Sequence, residues 1–178
     1  GGSNLGVYVS QSIAGITSSG GDVHIMGTGG NGSSIFSSTG VHVVNGSTVL
    51  PGGMGDLLIE GIGGANTTNN NIGVHCQQAN SMITSNGGNV TVIGQGGGTT
   101  GASQVNYGVS CSFGGIISSG GNGTVTVTGT GGLGAGTLNS GVSVTASGSF
   151  ITSTGGNVFV TGSGGGDTNG GGALGVQV

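Results

Sequence analysis

One short motif comes back through the chain at a nearly fixed interval and limits what it can fold into. Gly6-Val7-Tyr8-Val9 returns as Gly40-Val41-His42-Val43, Gly73-Val74-His75-Cys76, Gly108-Val109-Ser110-Cys111, Gly141-Val142-Ser143-Val144 and Gly175-Val176-Gln177-Val178, at spacings of 34, 33, 35, 33 and 34 residues. Self-similarity at such a period belongs to solenoids and arrays, where a unit buries its apolar face only against its neighbours. The repeats cover residues 6–39, 40–72, 73–107, 108–140 and 141–174, with a partial sixth at 175–178. Residues 1–178 therefore read as one domain, and as a fragment or subunit of a longer fibre.

Each unit carries three short apolar runs. In the first these are Val7-Tyr8-Val9, Ile16-Thr17-Ser18 and Asp22-Val23-His24-Ile25-Met26, closed by Gly27. The second run recurs as Leu50, Ile83-Thr84-Ser85, Ile117-Ser118-Ser119 and Ile151-Thr152-Ser153; the third recurs as Leu57-Leu58-Ile59, Val90-Thr91-Val92, Val125-Thr126-Val127 and Val158-Phe159-Val160. Alternation with β-branched residues between glycines and serines reads as strands with one buried face. The paired glycines Gly20-Gly21, Gly87-Gly88, Gly120-Gly121 and Gly155-Gly156 mark corners where a positive φ is expected. A second glycine cluster after the third run leads into a variable polar loop that absorbs the differences in repeat length.

Stacking one repeat on the next as parallel strands about 4.8 Å apart lines up columns that are apolar at every level. One column is Val7, Val41, Val74, Val109, Val142 and Val176; the next is Val9, Val43, Cys76, Cys111, Val144 and Val178. The predicted fold is all-β, a parallel β-solenoid with about 34 residues and three short strands per coil, in five coils plus a partial sixth. Right-handed winding is expected from the preference of parallel crossovers. Two shorter coils per repeat would need strands in the variable loop, which lacks consistent apolar alternation.

Composition removes several function classes. The chain has 49 Gly, 1 Pro and no Lys or Arg, and its only acidic residues are Asp22, Asp56, Glu60 and Asp167. Without cations nothing neutralises phosphates, so nucleic acid and anionic lipid are poor partners. Collagen needs Gly at every third position and abundant Pro, which the chain lacks, and helical arrays need good helix formers, which are scarce in it. No run of 18 apolar residues offers a membrane span, so no membrane insertion is expected.

The consensus in Gly141-Val142-Ser143-Val144, Phe150-Ile151-Thr152-Ser153, Gly155-Gly156-Asn157-Val158 and Val160-Thr161-Gly162 resembles repeats of large secreted bacterial surface proteins of the filamentous-haemagglutinin type. That resemblance spans essentially the whole chain. It implies export to the cell exterior, a rod-like β-helix and work in adhesion, biofilm or surface fibres, and it carries over no catalytic residue.

Few side chains offer chemistry. Cys76 and Cys111 share an inward column in adjacent coils, as two free core thiols standing in for Val or, alternatively, as a disulfide. Asp22, Asp56 and Glu60, with His24, fall on the outward face of the third strand. They are the residues a cation, or glycosidic acid–base chemistry, would use, and the competing reading is a solvated polar face. His42 and His75 are expected as exposed neighbours beside the first strand. Asn31, Asn45, Asn66, Asn89 and Asn122 begin N-x-S/T sequons.

No cofactor and no enzyme activity are expected. The leading expectation is a structural module of an extracellular fibre or cell-surface adhesin, stacking head-to-tail with copies of itself or continuing covalently. Surface glycans are the further partner to consider. The alternative is a carbohydrate-binding or carbohydrate-active β-helix that uses the outward acidic patch.

Overall fold

The computed structural model describes residues 2–32, 37–99, 103–166 and 172–178, so Asp167 lies outside the described residues. Strands β1 (Val7–Ser10), β2 (Gly15–Thr17) and β3 (Val23–Thr28) make the first coil, and β4 (Val41–Val44), β5 (Thr48–Leu50) and β6 (Leu57–Ile62) the second. The third holds β7 (Val74–Gln77), β8 (Met82–Ile83) and β9 (Val90–Gln95); the fourth holds β10 (Val109–Ser112), β11 (Ile116–Ser119) and β12 (Val125–Thr130). The fifth holds β13 (Val142–Thr145), β14 (Phe150–Ser153) and β15 (Val158–Ser163), and β16 (Val176–Gln177) starts the next. Equivalent strands stack in chain order into one six-stranded and two five-stranded sheets, and every pair is parallel. The all-β solenoid read from the repeat is the fold of the chain.

Register follows the motif residue for residue. Val7 faces Val41, Val41 faces Val74, Val74 faces Val109 and Val109 faces Val142. One detail differs from the sequence reading. The second-strand column is Ile16, Val49, Ile83, Ile117 and Ile151, while Leu50 pairs with Thr17 at the next position along. Val49 is fully buried and Leu50 is not; alternation within β5 lets only one of the two neighbours point inward.

The interior is a single apolar file running through the coils, with Val41, Val43, Val49, Ile59, Val74, Ile83, Val92, Val109, Ile117 and Val127 all closed to solvent. Each is held from above and below by its own column and sideways by the other two sheets, which is how a narrow solenoid reaches native packing density.

Glycine marks the places where two backbones touch. Gly27, Gly61, Gly94, Gly129 and Gly162 lie late in the third strand, and a Cβ on any of them would overlap the carbonyl oxygen of the motif glycine that opens the following coil: Gly40, Gly73, Gly108, Gly141 or Gly175. None of these glycines takes a positive φ, so close approach requires them rather than backbone freedom. A second contact follows, where Gly29, Gly63, Gly96 and Gly131 press on the carbonyls of Ser38, Asn71, Asn106 and Asn139. The variable loop thus leaves and returns through a neck, stapled to the next level by Gly64 N–H on Ser38 O, Gly97 N–H on Asn71 O and Gly132 N–H on Asn106 O at 2.7–2.8 Å.

The paired corner glycines divide two tasks. Gly20, Gly87 and Gly121 do take positive φ. Gly88 and Gly156 do not; a Cβ there would meet the backbone of Gly55 or Gly123 one level below. At Gly155 the φ is not positive either, so the positive φ expected at every pair holds only at some.

Candidate functional sites

Glu60 faces outward on β6, and Asp22 and Asp56 stand exposed one residue before β3 and β6. Their carboxylates have structural partners. Asp22 Oδ1 accepts the backbone N–H of Asp56 at 2.8 Å, Asp56 Oδ1 accepts that of Asn89 at 2.6 Å, and Asn89 Oδ1 accepts that of Thr124 at 3.0 Å. Short acceptors just before the third strand therefore form a ladder between coils, satisfying an N–H at each corner. Glu60 is turned toward His24, with Oε2 and Nε2 2.7 Å apart on the exposed surface. Asp22 and Asp56 are not joined by Glu60, and among the described residues no three His, Cys, Asp or Glu side chains converge to hold a metal ion.

His42 and His75 are not free surface side chains, contrary to expectation. Register places them directly against each other on β4 and β7, their rings stack at 4.7 Å and 6°, and Tyr8 tilts against His42 at 5.6 Å. His42 Nε2 lies 3.3 Å from Gln77 Oε1, and His75 Nε2 lies 3.0 Å from Ser112 Oγ. In-register stacking at coil spacing forces ring on ring and takes water from the face that His75 turns to His42. Burial, with His42 adding to it, pushes the His75 pKa down to about 3. Burial also lowers His42, against the contact from Gln77. Both imidazoles are neutral at pH 7, beside an open groove of about 300 Å³ that Ser37, Asn70 and Ile72 help line.

Cys76 and Cys111 are register partners, fully buried and free. The Cys76 thiol points to the carbonyl of Ser81 at 3.4 Å and that of Cys111 to the carbonyl of Gly115 at 2.9 Å. The hydrogen-bonded Cys111 side chain, and then burial, hold the Cys76 thiol well above its ordinary pKa. Protonated and enclosed, it behaves as a small apolar core residue.

The sequon asparagines sit in different settings. Asn31, Asn45, Asn89 and Asn122 are exposed, whereas Asn66 is buried with its amide donating to Ser38 Oγ at 2.8 Å. Asn31 Oδ1 accepts the N–H of Ala65 at 2.7 Å, and Asn45 Nδ2 donates to Ser10 Oγ at 2.9 Å.

Sequence reasoning missed the most ordered polar feature. Asn71, Asn106 and Asn139 are fully buried at the neck of the variable loop. Both the backbone N–H and Nδ2 of Asn71 donate to Asn106 Oδ1 at 3.2 and 2.9 Å, Asn106 repeats this on Asn139 at 3.2 and 3.0 Å, and Asn139 Nδ2 donates to Gly134 O and Gly136 O. The signal was present: Asn stands two residues before the motif glycine at positions 4, 71, 106 and 139. It was hidden because the loop looked variable as a whole.

The chain matches no protein-family model, no curated protein and no solved structure. What fold and side chains define is a class: a repeat protein of the parallel β-solenoid type, whose polar groups are mostly spent on ladders between coils.

Proposed function

We propose that this chain is a structural rod module of an extracellular fibre or cell-surface adhesin, extended by further coils of the same kind. The observation that carries this reading is that the interior is closed by neighbouring coils rather than within any one coil. Val41, Val74, Val109 and Val142 are fully buried, each paired in register with the coil on either side. A frame built this way lengthens coil by coil, each added one offering the next residue of each column and the next rung of each sheet. Scarcity of charge supports a frame rather than a reactive surface. Placement outside the cell, contact with glycans and adhesion are part of the proposal and follow the motif resemblance.

Electron microscopy and light scattering of untagged residues 1–178 test it. End-to-end filaments growing with concentration, and blocked by Val176→Asp, are expected; a monomer at all concentrations would sink the stacking. The carbohydrate-active alternative has less behind it, because an oxygen of each of Asp22 and Asp56 is held by a backbone N–H and Glu60 by His24.

A further inference from the structure

The chain contains five Asn-Gly dipeptides, Asn31-Gly32, Asn45-Gly46, Asn86-Gly87, Asn122-Gly123 and Asn169-Gly170, the last outside the described residues. Such a pair can react with itself. The glycine backbone nitrogen attacks the asparagine Cγ, an N–Cγ bond forms, and the side-chain nitrogen leaves as ammonia carrying away the proton of the attacking N–H. Water then opens the resulting succinimide ring at one carbonyl or the other, giving aspartate or isoaspartate. Two conditions must hold in the folded chain: the carboxamide must be free to turn toward the backbone, and the glycine N–H must not be held by an acceptor.

Three of the four described pairs fail one of these conditions. The Asn31 carboxamide accepts the Ala65 N–H at 2.7 Å. At Asn45 both groups are engaged, with Nδ2 on Ser10 Oγ at 2.9 Å and Gly46 N–H on Ser81 Oγ at 3.0 Å. The nitrogen of Gly123 donates to Gly120 O at 3.2 Å. Asn86 and Gly87 differ. The side chain of Asn86 is exposed, and neither it nor the Gly87 N–H makes a hydrogen bond to another described residue. They stand at the corner between β8 and β9, where Ser19, Gly120 and Thr154 occupy the matching place in other coils.

We infer that Asn86-Gly87 is a modification site, where the folded rod deamidates ahead of its other described Asn-Gly pairs. The product places a carboxylate at a corner that has none. In the isoaspartyl form the main chain gains a methylene between Ser85 and Gly88. Ser85 Oγ donates to Gly88 O across that corner, and Ser85 O accepts the Gly120 N–H at 2.9 Å from the coil above. Both bonds lose their register when the corner lengthens.

Peptide mass mapping of residues 1–178, held at mildly alkaline pH and cleaved by a protease that does not need Lys or Arg, reads the conversion at each site. Asn86 is expected to convert about tenfold faster than Asn45 or Asn122, the factor set by hydrogen bonds that must break first at those sites. Asn86→Ser should abolish the early mass gain, and in denaturant the described sites should converge in rate. Equal or faster conversion at Asn31, Asn45 or Asn122 in the folded chain would overturn the inference. So would an Asn86 preference of the same size in the denatured chain.

Discussion

The third and fifth coils have the same three strands, yet they differ in what solvent can reach. Ile83 and Val92 are fully buried, whereas Ile151 and Val160 are only partly so and Val158, the partner of the closed Val125, is 41% exposed. The difference is one of position. A middle coil is covered on both faces by its neighbours, and a coil at the edge of the stack is covered on one. Burial here is conferred by the adjacent level rather than earned inside a unit, so stability grows by nearest-neighbour increments.

Three experiments sharpen or break that contrast. Gly94→Ala sets a methyl group against the Gly108 carbonyl in the middle of the rod, whereas Gly21→Ala in the first coil meets nothing within 4 Å. The first should cost about 3 kcal/mol or more, or prevent folding, and the second should stay within about 0.5 kcal/mol; denaturant midpoints measure both. Equal costs would mean that the glycines serve something other than close packing. Next in size, Ile83→Ala should destabilise by about 3 kcal/mol and its column mate Ile151→Ala by about half of that, read by the same midpoints. A larger loss at Ile151 would refute the nearest-neighbour picture.

The last effect concerns pH. The folded pKa of His75 lies at about 3, below the unfolded 6.5, so between those values the unfolded chain binds a proton that the native chain does not. Stability is therefore full above pH 6.5 and falls as the pH drops toward 3. His75→Gln should reduce the slope of the thermal midpoint between pH 6.5 and 5, above the range where carboxylates take up protons, and leave the part that His42 contributes. An unchanged slope would place the sensitivity elsewhere.

The sequence made the architecture readable because its information is repeated. Alternation around Val7, Val23 and Val41 fixed the strands, and the return of Gly-Val fixed their level. Where one copy departed from the others, reading failed. In the second coil Leu50 looked like the core residue, because the turn ahead of it changes length and nothing in the local pattern separates it from Val49. The side chains with chemistry were harder still. That Asp22 and Asp56 hold backbone N–H groups, or that His42 and His75 lie ring on ring, depends on the direction taken by groups one coil apart, and alternation reports a face without reporting a contact. The buried Asn71, Asn106 and Asn139 show the same limit: their spacing is visible, but burial of an amide at a loop base is decided by the backbones closing around it.

The glycine neck separates two problems that most folds must solve together. Everything on one side of it, where Gly63 meets Asn71 and Gly96 meets Asn106, belongs to the frame and tolerates little change. Among the described residues, the segments on the other side supply no strand to any sheet. Repeat length can therefore vary, as the spacings of 33, 34 and 35 residues do, while the strands on the inner side keep their register.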